Sequence, residues 1–101
     1  MNFGLTDETI KHICSVFIKH DEIETVIIYG SRAKGNYKIG SDIDLTLTGK
    51  NLTNDTLTSV IQEIDNLNTP YLFDISIFDN LNSPELEDHI QRVGKEFFKK
   101  K

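Results

Sequence analysis

The sequence predicts an α+β fold: a small mixed three-stranded sheet with helices packed on one face, ordered helix, strand, turn, strand, helix, strand, helix. Three observations carry this. Residues 42–48 (DIDLTLT) alternate polar and apolar with period 2, the pattern of a strand covered on one side. Residues 54–67 repeat apolar side chains at helical spacing, and 71–78 (YLFDISIF) read as strand again. That strand–helix–strand passage is long enough for a right-handed crossover, so its two strands are expected to be parallel. The connection over 30–41 is too short for a crossover, so the first two strands are expected to be antiparallel.

Each element has its own local signals. Residues 6–19 read as a helix with Thr6 as cap and Asp7 and Glu8 in the first turn, where the helix dipole favours acids. Ile10, Ile13, Cys14 and Phe17 recur on one face. Cys14, the single cysteine, reads there as a small core residue; one cysteine excludes an internal disulfide and fits a reducing cytoplasm. Residues 25–29 (TVIIY) form a short strand that is apolar on both faces, as for a strand covered on both sides. Residues 30–41 hold one helical turn before the chain reverses.

In the next strand Ile43, Leu45 and Leu47 face one way and Asp42, Asp44, Thr46 and Thr48 the other. Asn54 is the expected cap of the second long helix, with Leu57, Val60, Ile61 and Ile64 as its apolar face. Phe73, Ile75 and Ile77 oppose Leu72, Asp74, Ser76 and Phe78 on the third strand. The last helix opens with Ser83 as cap and Pro84 at its first position. Its expected stripe is Leu86, Ile90, Val93 and Phe97, with the terminal lysines at its negative end. Gly94 then falls inside that helix, at a cost of about 1 kcal/mol against alanine. The acidic strand faces are expected on the open side, away from the helices.

A chain of 101 residues builds one core, so residues 1–101 read as a single domain. No apolar run approaches the ~18 residues of a membrane span, and no basic-then-apolar leader opens the chain. The net charge of −5 argues against a free-standing nucleic-acid binder, because phosphate contacts supply most of that affinity. The charge is uneven: residues 30–41 carry Arg32, Lys34 and Lys38 and no acid. His12, His20 and His89 lack metal-ligand spacing and read as peripheral.

The chemistry gathers in Gly30–Asp44, GSRAKGNYKIGSDID. Asp42 and Asp44 share a strand face, with Cα atoms about 6.5 Å apart. Carboxylates so close repel unless a cation sits between them. Mg²⁺ takes oxygen ligands of this kind together with substrate phosphates. Asp74, on the polar face of the next strand, is in register to join them. Three acids on adjacent strands can hold two metals about 3.5–4 Å apart. The end of the first strand brings Gly30 and Ser31 beside them. A glycine lets backbone approach a phosphate, and the turn adds N–H donors and a hydroxyl. Arg32 adds positive charge to this nucleotide-binding turn. The expected reaction is metal-assisted attack on the α-phosphate of a nucleoside triphosphate, with pyrophosphate leaving.

Gly30-Ser31, a ten-residue gap, Asp42-Ile43-Asp44 and a later strand-borne Asp74 resemble the signature of the DNA polymerase beta-like nucleotidyltransferase superfamily. The GSRAKG opening and small size resemble its minimal nucleotidyltransferase branch. The resemblance implies that Gly30 and Ser31 hold the triphosphate of ATP, that Asp42 and Asp44 bind Mg²⁺, and that Asp74 completes the metal site and helps activate the acceptor hydroxyl. It further implies an all-helical HEPN-domain toxin as partner, neutralised by transfer of AMP to a tyrosine. Two alternatives stay open: an antitoxin that binds nucleotide and occludes its partner without chemistry, and a subunit of a small-molecule or antibiotic nucleotidyltransferase.

Overall fold

The computed structural model describes residues 2–101. Its elements run α1 (Asp7–Phe17), β1 (Thr25–Tyr29), α2 (Ser31–Lys34), β2 (Ile43–Thr48), α3 (Asn54–Asp65), β3 (Phe73–Ile77), a 3₁₀ turn (Phe78–Asn80), α4 (Pro84–Val93) and β4 (Lys95–Lys99). The sheet has four strands in the order β3-β2-β1-β4. β1 pairs antiparallel with β2 and with β4, and β2 pairs parallel with β3.

The helix starts follow side-chain capping. Thr6 Oγ1 accepts from the Thr9 N–H at 3.1 Å, and Ser83 Oγ accepts from the Leu86 N–H at 3.2 Å. α3 is capped one residue earlier than the sequence suggests. Thr53 Oγ1 accepts from the Thr56 N–H, and Asn54 is already helical.

The fourth strand corrects the expected three-stranded sheet. The last helix stops at Val93, and Gly94 leaves it with extended backbone (φ −65°, ψ 148°). Phe97 and Lys99, expected on the helix stripe and at the helix end, belong instead to β4, antiparallel to β1, and Lys100 and Lys101 follow that strand. The close fit at Gly94 explains a glycine there. A Cβ would collide with the Ile90 carbonyl oxygen and stand 2.7 Å from Ile27 Cγ2. The β1/β4 register shifts between Val26 and Ile27. A bulge of this kind sets two residues against one. Phe97 and Phe98 accordingly both pack toward Phe17, with ring centroids 6.4 and 5.7 Å from it.

The helices also divide between the two sheet faces, which corrects the expected one-sided packing. Ile13, Val16 and Phe17 of α1 and Val60 and Ile64 of α3 share a core with Val26, Ile28, Ile43, Leu45, Leu47 and Ile75. α4 lies on the other face: Gly94 meets Ile27, and the His89 ring meets Tyr29 edge to face at 6.2 Å. The acidic face is therefore roofed in part, with Thr46 fully buried on it. Among the described residues, no helix is long and apolar enough to cross a membrane.

Candidate active site

The antiparallel β1/β2 register sets Tyr29 opposite Asp44, and the parallel β2/β3 register sets Asp44 opposite Asp74. Directly opposed residues share a face. Asp44 and Asp74 are thus side by side, and Gly30 follows Tyr29 into the same corner. Gly30 has φ 76° and ψ −156°, a backbone that favours glycine. A Cβ on it would run into Asp44 Oδ2. Ser31 then opens α2, whose last residue, Lys34, bonds back to the Gly30 carbonyl (N···O 3.1 Å).

The short helix and its return loop explain the spacing before the aspartates. Gly35 and Gly40 take φ values of 86° and 87°, turning the chain at each end of the exposed loop. Ser41 Oγ accepts from the Lys38 N–H at 2.9 Å, and Asp42 follows just before β2 begins. Asp42 and Asp74 are exposed, whereas Asp44 is half-buried.

The electrostatics single out Asp44. Burial pushes its carboxyl above the ordinary carboxylate range, Asp74 and Asp42 push it further, and His89 pulls it back. Burial likewise raises the Tyr29 phenol, with Asp74 and Asp44 adding to it. Both shifts describe one concentration of negative charge. Three carboxylates are a hard-oxygen donor set suited to a divalent cation such as Mg²⁺. They are not drawn into a closed cage: among the described residues, no three His, Cys, Asp or Glu side chains are gathered as metal ligands. Asp42 and Asp74, being exposed, are free to turn toward a cation.

Arg32 is placed otherwise than expected. It is 3% exposed, and its donors are directed at backbone carbonyls rather than at the Gly30–Ser31 corner. Lys34 and Lys38 are exposed. His89 is the residue that spacing alone passed over, since it stands on the roof helix above Tyr29. A signal did exist, because Leu86, His89, Ile90 and Val93 fall at i, i+3, i+4 and i+7 on the inward face of α4.

A glycine-serine turn against a strand-borne carboxylate pair, with a further aspartate at the head of β2, is the arrangement expected of a nucleotidyltransferase. The chain belongs to the polymerase beta nucleotidyltransferase family, whose pattern it matches over residues 9–101. Solved structures share the fold. The antitoxin of a toxin–antitoxin complex with AMP-PNP superposes with a TM-score of 0.73 at 17% identity, covering 91% of this chain and 74% of the other. The MNT antitoxin bound to tri-AMPylated HEPN toxin from Shewanella oneidensis gives 0.67 at 14%, covering 95% and 74%. A nucleotidyltransferase-like protein from Sulfolobus solfataricus gives 0.56 at 22%, covering 91% and 78%. No curated protein matches the sequence closely.

Proposed function

We propose that this protein is a Mg²⁺-dependent adenylyltransferase, a single cytoplasmic domain that transfers AMP from ATP to a tyrosine hydroxyl of a HEPN-type toxin and thereby acts as its antitoxin. The observation that carries this reading is the pairing of Asp44 with Asp74 across β2 and β3, beside the Gly30 backbone. The tri-AMPylated toxin in the Shewanella oneidensis complex supports the choice of group and acceptor class.

In this reading Asp42, Asp44 and Asp74 would hold Mg²⁺, which would supply charge neutralisation at the triphosphate and make the acceptor hydroxyl more acidic. Gly30 brings backbone close to the phosphates, and Ser31 offers its N–H and hydroxyl to their oxygens. Asp74 faces the incoming acceptor and takes its proton. The acceptor oxygen bonds to the α-phosphorus, the bond from that phosphorus to the leaving pyrophosphate breaks, and AMP remains on the acceptor. β3 is an edge strand, so the acceptor side of the site opens to another molecule.

Purified protein, HEPN partner and ATP labelled at the α-phosphate provide the test. Label is expected on the partner, and Asp44→Asn or Asp74→Asn should lower transfer by about 100-fold or more, the scale for removing electrostatic stabilisation at a reacting centre. Transfer that survives both substitutions overturns the reading.

A further inference from the structure

We propose that Arg32 is a positioning residue: it ties the segments that carry Asp42 and Asp74 to the turn that carries Gly30 and Ser31. The inference rests on the functional reading above, and it takes Arg32 away from the phosphates.

Arg32 follows Ser31 on α2. Its Nε and Nη2 both donate to the Ser41 carbonyl, at 3.1 and 2.9 Å, and Nη1 donates to the Phe3 carbonyl at 2.8 Å. Two N–H groups on one oxygen fix direction as well as distance, which the planar guanidinium can do and an ammonium cannot. Ser41 immediately precedes Asp42, at a point where the β2 ladder has not yet begun. The gripped carbonyl therefore sets where the Asp42 backbone starts.

The guanidinium also meets two aromatic rings. Arg32 Cζ lies over the rings of Tyr37 and Tyr71, 5.3 and 5.1 Å from their centroids. Tyr71 leads through Leu72, whose carbonyl accepts from the Ile43 N–H at 2.9 Å, into β3 and Asp74. One buried side chain thus touches the α2 turn, the approach to Asp42 and the approach to Asp74. Flanked by rings and bonded to carbonyls, at 3% exposure, it has little left to offer a triphosphate.

Mn²⁺, used as a paramagnetic stand-in for Mg²⁺, can be titrated by electron paramagnetic resonance into the protein bound to a non-hydrolysable ATP analogue. Arg32→Lys keeps the charge and loses the fork. It is expected to weaken Mn²⁺ binding about 10–100-fold, the scale for removing groups that orient metal ligands. The analogue's affinity measured without metal should stay unchanged. Tyr71→Leu should shift Mn²⁺ affinity in the same direction by less, and it is the variant to read if Arg32→Lys does not fold. Unchanged Mn²⁺ affinity in the folded variant, or a loss of metal-free analogue affinity, overturns the proposal. A wild-type protein that binds Mn²⁺ but transfers no AMP instead overturns the functional reading alone.

Discussion

Gly30 is packed against Asp44 so closely that a Cβ on the glycine would occupy the space of the aspartate's Oδ2. The backbone there also has a positive φ (76°) with ψ −156°, a region essentially reserved for glycine. Sterics and conformation therefore act at one position, and that position adjoins the proposed metal site.

Gly30→Ala should accordingly damage the site more than the fold. Holding an ordinary residue in this sparsely populated region costs at least about 1–2 kcal/mol. A loss of that size lowers the melting temperature by about 4–16 °C in a domain of this length. The displaced Asp44 should cut transfer by about 100-fold or more. Calorimetry and the labelled-ATP assay read the two effects separately. Wild-type transfer by a folded Gly30→Ala protein would show that the contact is irrelevant to activity.

Asp44→Asn should make the metal-free protein more stable while lowering transfer by about 100-fold or more. Burial and the neighbouring Asp74 and Asp42 raise the Asp44 carboxyl, so the folded state disfavours its charged form. A group raised on folding adds stability below its unfolded value and loses that contribution as pH rises through the folded value. The gain from Asn should therefore be seen at pH 7 and vanish in acid, below the ordinary carboxylate range. Adding Mg²⁺ should raise the wild-type melting temperature and leave the Asn variant nearly unmoved. Melting curves at several pH values, with and without Mg²⁺, check both statements.

Glu22 predicts the opposite pH slope. Its carboxyl is held below the usual range by its backbone hydrogen bond and then by Thr56, whose hydroxyl donates to Oε2 at 2.9 Å. A lowered carboxyl stabilises above its unfolded value and loses that contribution as pH falls through the folded one. Thr56→Val should remove part of this near neutrality, by less than about 1 kcal/mol because solvent screens the largely exposed carboxyl. The difference from wild type should shrink as the pH is lowered past the carboxylate range, which denaturant titrations at pH 7 and in acid would reveal.

Gly94→Ala tests the join between α4 and β4. The added methyl meets the Ile90 carbonyl and Ile27 Cγ2 without room for either. Overpacking of this kind costs about 1–3 kcal/mol. Urea unfolding should show that loss, and a neutral result would mean that the helix end shifts freely.

Much of this was legible in the residues because its causes are local. DIDLTLT and YLFDISIF both alternate, so Asp44 and Asp74 were expected on one face, and the parallel register pairs them. The two strand directions followed from connection length alone, and both hold. β4 was hidden because KEFFK alternates with no period. The bulge turns both phenylalanines to one side, and so removes the pattern that marks a strand. The second layer had a trace in TVIIY, apolar on both faces, but nothing local says which helix supplies the cover. The surroundings of Arg32 were not legible, because the carbonyls of Phe3 and Ser41 and the ring of Tyr71 reach it from three separate segments.

The sheet order carries a consequence for synthesis. β1 is an inner strand, yet its second neighbour, β4, lies most of the chain's length further on. During translation the carboxylate-bearing strands can align while that side of β1 is still bare. TVIIY is the kind of β-branched edge that recruits foreign strands. A nascent chain halted before Lys95 would therefore expose a sticky flank beside a nearly assembled site, and residues 95–99 act as its late-arriving guard.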